Sequence, residues 1–290
     1  MLFSATISSQ VKDFTLSGMK DYRMVQVDRD SKLSEFLKLH FYIVRSGEKE
    51  AALFYILRER VLANQQTIVF CATKYHIEYL HELCTLAGFS TDFIYGSMDQ
   101  RTREDRMFRF RKKFTRVLLV TDLAARGIDI PLLENVVHYD SPTKMKLFIH
   151  RAGRTARAGQ SGTSYSILTP EEIGYMHDLS IFVGRKHQDR PLTAEEAGPN
   201  GVEETSDMLN ADHNKITYGL LPQHLIDEYN TGVARLWDMK KEILEPLKKA
   251  IKNAMMKYAK TKDPASQNSI TTMRQLIDKR PMAIHPTLLS

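Results

Sequence analysis

Between Phe41 and Phe182, short β-branched and aromatic runs alternate with stretches whose apolar residues recur at helical spacing, and few folds accept that pattern. The extended runs are Phe41-Tyr42-Ile43-Val44, Thr67 to Cys71, Thr91 to Tyr95, Arg116 to Val120, Asn135 to Tyr139 and Thr163 to Leu168. Helices are predicted between them. They are Lys49 to Leu62, with Ala52, Leu53, Ile56, Leu57 and Val61 on one side; Tyr75 to Ala87, stopped by Gly88; Gln100 to Phe110; Lys144 to Arg151; and Pro170 to about Phe182. Strands joined through helices of this length run parallel, so the expected fold is α/β, a parallel sheet with helices on both faces. Right-handed crossovers gather the loops after the strands along one edge. Thr73, Gly96, Thr121 and Asp122 each fall at or near a strand end, so groups distant in sequence are expected to share one groove on a single rim.

Two stretches carry chemistry suited to such a groove. His150-Arg151-Ala152-Gly153-Arg154-Thr155-Ala156-Arg157-Ala158-Gly159 spaces three arginines three residues apart among Gly and Ala. Guanidinium forks on backbone that can approach closely suit a polyphosphate, although such a decamer in isolation reads more readily as a solvated basic loop. Thr121-Asp122-Leu123-Ala124-Ala125-Arg126-Gly127-Ile128-Asp129-Ile130 follows the buried-strand run Val117 to Val120 and sets hydroxyl, carboxylate and guanidinium groups at its carboxyl end.

Together the two stretches resemble motifs V and VI of superfamily 2 helicases, specifically of the DEAD-box ATP-dependent RNA helicases. Ser4-Ala5-Thr6 is similar to motif III, Ile68-Val69-Phe70-Cys71-Ala72-Thr73 to motif IV, and Gln100-x-x-Arg103 to the RNA-contact motif after it. The resemblance covers residues 1 to about 185. It implies a RecA-like sheet, the second lobe of an enzyme that uses ATP and Mg2+ to separate short RNA duplexes. It also implies that Arg154 and Arg157 are arginine fingers for a γ-phosphate held by the other lobe, where transfer spreads charge over the equatorial oxygens. By the same resemblance Gly127 and Asp129 bind the nucleotide, and Thr73, Lys74, Gln100, Arg103 and Thr121 bind RNA. Ser4, Thr6, His150 and Arg151 look like coupling residues. Ala156 departs from the family, which often has Gly there, and its methyl disfavours positive φ.

No G-x-x-x-x-G-K-S/T loop and no Asp-Glu-Ala-Asp occurs in the sequence. Metal ligands are therefore expected on a first lobe outside it, and the isolated polypeptide is expected to be inactive. A non-catalytic RNA-binding module and a DNA helicase of the same superfamily stand as alternatives. Net charge +6 favours an anionic partner, and the helix with Arg101, Arg103, Arg106, Arg109, Arg111, Lys112 and Lys113 is either a solvated face or part of that contact. Cys71 and Cys84 form neither a disulfide framework nor a zinc site, and no apolar run reaches membrane-spanning length. His76 and His81 are expected on a solvated surface, Cys71 in the core, and Glu171-Glu172 at a helix start.

Four parts are expected along the chain. Residues 1–39 read as a remnant of the first lobe and an interlobe tether, poorly ordered in isolation; 40–187 as the helicase C-terminal RecA-like domain; 188–218 as a linker, and 219–290 as a basic, mainly helical extension. Leu236, Trp237, Ile243, Leu244, Leu247, Ile251 and Met255 mark an apolar side of that extension, and Pro246 is expected to kink or divide it. Whether its lysines are solvated or grip RNA is open. Past Lys262 the pattern turns polar, and Arg280-Pro281 to Pro286 reads as irregular. Leu221-Pro222-Gln223-x-Leu225-Ile226-Asp227-Glu228 resembles the nucleolar DEAD-box subgroup of large ribosomal subunit assembly. That likeness implies ribosomal RNA precursor and pre-ribosomal particle proteins as partners, a nucleolar location in the nucleus, no membrane contact and a monomer.

Overall fold

The structure, a computed structural model, describes residues 33–125, 130, 132–156, 159–187, 215–279 and 282–288. Its strands are β1 (Leu37–Ile43), β2 (Thr67–Phe70), β3 (Thr91–Ile94), β4 (Val117–Val120), β5 (Asn135–His138), β6 (Gly162–Leu168), β7 (Lys186–His187) and β8 (Lys215–Leu220). They form one sheet in the order β3-β4-β2-β5-β6-β1-β8-β7, with every pair parallel. The helices are α1 (Lys49–Tyr55), extended by a π-helical turn Ile56–Arg60, α2 (Lys74–Leu86), α3 (Gln100–Arg111), α4 (Asp122–Ala125), α5 (Met145–Ala152), α6 (Ile173–Val183), α7 (Gln223–Met239), α8 (Lys241–Ala259) and α9 (Gln267–Lys279). The RecA-like α/β fold with helices on both faces is thus present.

Period-2 alternation divides the core. Val69 and Cys71 face the side covered by α1, α2, α7 and α8, whereas Ile68 and Phe70 face α3 and α4. Phe41 and Ile43 of β1 pack with α5, α6 and α9 on that second side. Gly88 ends α2 with φ 84°, and the Phe89 N–H donates back to Cys84 O (2.9 Å), closing the helix through a left-handed residue.

The carboxyl-terminal third departs from expectation in four ways. The strand β8 begins inside the span expected as linker and joins the same sheet beside β1. Its interior Gly219 hides it from a propensity reading, yet a side chain there would meet the His285 backbone at 2.5 Å. Residues 283–285 return to the sheet, with Leu220 N donating to Ala283 O (2.9 Å) and His285 N to Leu220 O (2.9 Å), where irregular chain was expected. The polar stretch after Lys262 contains α9, held by Met273 against α6. Finally, the helical region divides at Lys240 (φ −133°), and α8 runs through Pro246. An interior proline costs ~3 kcal/mol or more, and burying Leu244 with half-burying Leu247 and Ile251 returns ~1.5–3 kcal/mol for each full side chain, so packing offsets it. At the other end β1 starts at Leu37, ahead of the boundary expected at residue 40.

Candidate functional site

Three strand ends set the groups at the carboxyl edge of the sheet. Thr73 follows β2 and caps α2, its Oγ1 accepting from His76 N (3.3 Å), which leaves Lys74 exposed on the helix's first turn. Thr121 follows β4 and its Oγ1 accepts from Ala124 N (3.4 Å) at the start of α4. Arg103 Nη2 donates to Ala124 O (3.3 Å), so α3 is tied to α4, while Gln100 on the exposed first turn of α3 donates to Glu104 Oε1 (2.6 Å). All five residues expected to meet RNA lie on or beside this edge. Ser4 and Thr6 lie outside the described residues.

Asp140, just past the end of β5, joins this edge, and only its strand-end position could have singled it out beforehand. Its Oδ2 accepts from Ala72 N (2.8 Å) and lies 3.7 Å from His76 Nδ1. His76 is therefore buried rather than solvated, because its ring sits between Thr73, Asp140 and the edge of Tyr139. His81 is half-buried and also off the surface, 2.8 Å from Thr91 Oγ1 with its ring 4.7 Å from Phe93. Cys71 is buried in the core as expected, and burial pushes its thiol pKa well up.

Arg151 dominates the centre. It is 1% exposed, and its fork is bidentate on Asp122, with Nε to Oδ1 at 2.7 Å and Nη2 to Oδ2 at 2.8 Å. The remaining Nη1 donates to Asp140 O (2.6 Å), and the guanidinium lies 5.0 Å from the centre of the Phe70 ring. Helical side chains lean toward the helix N-terminus, so an arginine in the last turn of α5 reaches back to the carboxyl edge. Burial alone would lower its pKa, but the Asp122 bonds and charge outweigh it and leave the pKa raised. Next to it His138 is buried against Phe148 (ring centres 4.4 Å) and stays neutral, its pKa driven well below 6.5 by burial and then by Arg151.

The arginine stretch continues away from that edge. Arg154 is half-buried and its carbonyl accepts from Leu133 N (3.3 Å), while Thr155 bridges Leu133 just ahead of β5. This flank lies at the start of β5 and β6, opposite the strand ends, so the single rim expected from the sequence is a correction: α5 carries the chain from one place to the other. Ala156 has φ 55°, the left-handed conformation that a Gly would adopt without strain. A side chain on Gly162 would overlap Thr155 Oγ1 and stand 2.7 Å from Ala156 N, so the flank packs backbone on backbone. Gly127, Asp129 and Arg157 lie outside the described residues. His150 is exposed on α5.

Glu172, expected as a helix-start charge, does form a capping box with Thr169. It also pairs with Lys49 Nζ (3.1 Å) and Lys262 Nζ (2.8 Å) and accepts from Ser141 Oγ (2.8 Å). Burial would raise its carboxyl, but the two lysines prevail and hold its pKa at about 2. The basic helix α3 is partly structural as well: Arg106 stacks 3.7 Å from the Phe93 ring centre, and Arg106 and Arg109 both approach Asp92 (3.8 and 3.4 Å). Among the described residues no group of three or more His, Cys, Asp or Glu is arranged to hold a metal ion, and no helix is long and apolar enough to cross a membrane.

Within this all-parallel sheet, residues 48–159 match the helicase conserved C-terminal domain. The chain is a homologue of the DEAD-box RNA helicases. It is 40% identical over 278 residues to DEAD-box ATP-dependent RNA helicase 29 of Oryza sativa subsp. indica, covering 95% of this chain and 32% of that protein. To ATP-dependent RNA helicase DDX54 of Mus musculus it is 37% identical over 295 residues, covering 100% and 32%. The chain thus spans about a third of the length of these relatives. Among solved structures, S. cerevisiae Dbp5 bound to Gle1 and IP6 matches with TM-score 0.54 and 26% identity over 63% of this chain and 47% of that one. The same yeast protein bound to RNA and ADP BeF3 shares the fold at TM-score 0.53 and 22% identity, covering 81% and 54%.

Proposed function

We propose that this chain is the second RecA-like lobe, with its C-terminal extension, of an ATP-dependent RNA helicase. Its carboxyl edge grips RNA through Thr73, Lys74, Gln100, Arg103 and Thr121. Hydroxyls, an amide, cations and a helix start are donors suited to phosphate and 2′-hydroxyl oxygens, with little base readout. Its flank offers Arg154 and Arg157 to the γ-phosphate of ATP held on a partner lobe, with Gly127 and Asp129 at the nucleotide. These groups are cationic or neutral apart from Asp129. They fit the oxygens of a triphosphate and not its Mg2+, whose ligands belong to the other lobe. The magnesium ion, once bound there, offsets charge on the β- and γ-phosphates.

The observation that carries this reading is the Arg151 fork, which ties the ends of β4 and β5 at the RNA edge while its own helix leads straight to Arg154. A buried, doubly paired arginine is costly unless its geometry is used, and here it makes one rigid body of the two faces. Together with His150, and with Ser4 and Thr6 from the preceding segment, Arg151 couples nucleotide state to RNA grip. The post-core segment Leu221–Glu228, by its likeness to the nucleolar DEAD-box subgroup, supports a role in ribosome biogenesis. Precursor ribosomal RNA would be the substrate, pre-ribosomal proteins the neighbours, and the nucleolus the location.

The test is ATP turnover in a protein that carries both lobes. Arg154→Ala should cut RNA-stimulated kcat by ~10³-fold while RNA affinity holds, since a finger acts on the transition state. Unchanged turnover would remove the finger assignment and favour a non-catalytic RNA-binding module.

A further inference from the structure

The loop from β5 to α5 is held by a set of donors drawn from four elements. Lys49 Nζ donates to Tyr139 O (3.4 Å), Arg151 Nη1 to Asp140 O (2.6 Å), the Tyr258 hydroxyl to Ser141 O (2.8 Å), and Asp263 N to Thr143 O (2.9 Å). The last two come from the end of α8 and from its connection to α9. That connection leaves the sheet face of α1 and α2 at Tyr258 and reaches α6 on the other face, so it crosses the carboxyl edge beside Arg151.

Side chains fasten it along the way. Lys262 lies 5.3 Å from the Tyr175 ring centre and donates to Glu172 Oε1 (2.8 Å), the oxygen that also accepts from Ser141 Oγ (2.8 Å). On the far side Ser266 N and Oγ (both 2.7 Å) and Ser269 Oγ (2.6 Å) donate to Asp178 of α6. Burial raises the pKa of the Tyr258 hydroxyl although Arg151 pulls the other way, so it remains a donor. An extension anchored only by its apolar side would have no need of a hydroxyl and a backbone N–H on one loop of the lobe, with an ammonium on the Glu172 carboxylate to which that loop's Ser141 also donates.

We propose that residues 258–269 form a strap that positions the nucleotide face, with Tyr258 and Lys262 holding loop 139–143 so that α5 keeps Arg151 seated and Arg154 in reach. Both are positioning residues, acting through Asp140 and Arg151. The inference rests on the finger reading given above.

Tyr258→Phe keeps the ring and deletes the hydroxyl; Lys262→Met deletes the ammonium, and Lys262→Arg is the conservative control. In a protein with both lobes, the first two should lower RNA-stimulated kcat by about tenfold, as small misplacements of reacting groups do, without weakening RNA binding. Amide hydrogen exchange over Met145–Ala152 should quicken in both, and Lys262→Arg should restore kcat and exchange. Wild-type exchange and kcat in Tyr258→Phe and Lys262→Met would overturn the strap. Faster exchange with wild-type kcat, while Arg154→Ala abolishes turnover, would overturn its positioning role as well. If Arg154→Ala leaves turnover intact, the finger reading fails, and the strap stands or falls on the exchange of α5 alone.

Discussion

The carboxyl edge and the Leu133–Thr155 flank are built on opposite principles, although one short helix joins them. At the edge, polar side chains do the fixing: Thr73 and Thr121 cap helices, Asp140 takes a backbone N–H, and Asp122 holds Arg151 with two bonds. At the flank, small residues let backbones touch, with Gly162 against Thr155 and Ala156 bent to positive φ. The edge is held by directional bonds between side chains and backbone, whereas the flank at Gly162 has no room for an added Cβ. An edge of side chains suits a polymer that must be gripped and released, and a flank of close backbone suits a group that must be met at one distance.

Removing the link should separate the two most sharply. Arg151→Ala strands Asp122 half-buried and empties a buried site, so a loss of about 3–5 kcal/mol in urea unfolding is expected; a loss under ~1 kcal/mol would mean that edge and flank are not mechanically joined. Gly162→Ala attacks the flank alone and should cost about 1–3 kcal/mol through overpacking, with the edge's RNA affinity unchanged. Acid probes the packing beneath α5, at His138, and that of β1 against Tyr165 and His285, at His40. The folded-state pKa values of His138 and His40 lie below 6.5, that of His40 at about 3, so the unfolded chain binds protons first as pH falls. Stability should be full above about pH 6.5 and decline below it, and Glu172, at about 2 against 4.5, should add a further decline below pH 4.5. Denaturant midpoints that do not change between pH 7 and 5 would contradict burial of these rings. The smallest effect is expected from Ala156→Gly: relief of positive φ, about 1 kcal/mol, is largely offset by loss of a buried methyl, so a net change under ~1 kcal/mol should appear in the same titration.

Much of the edge could be read from the sequence, and the reason is local. Six strands announced themselves as β-branched runs, and a polar residue after such a run lies at the carboxyl edge by topology alone, which placed Thr73 and Thr121 correctly. The flank was misread as part of the same rim because the length of α5 sets where Arg154 emerges, and that depends on packing rather than on composition. Burial of Arg151 was hidden for a similar reason: an arginine within a basic decamer reads as exposed until Asp122, just past the end of β4, is brought beside it. β8 and α9 escaped because a glycine interrupts one and polar residues dominate the other, while their stabilising contacts come from His285 and α6, far along the chain.

The place of β1 in the sheet has a consequence for how the polypeptide comes into being. Leu37 pairs with Gly162 and Leu39 with Ile216, so a strand made early has neither neighbour until long afterwards. During synthesis its apolar residues Leu39, Phe41 and Ile43 must wait uncovered, a hazard for aggregation. Polypeptides that terminate ahead of β8 would leave that hazard permanent along one side of β1, and a chaperone that shields nascent strands would serve this protein before any ligand could.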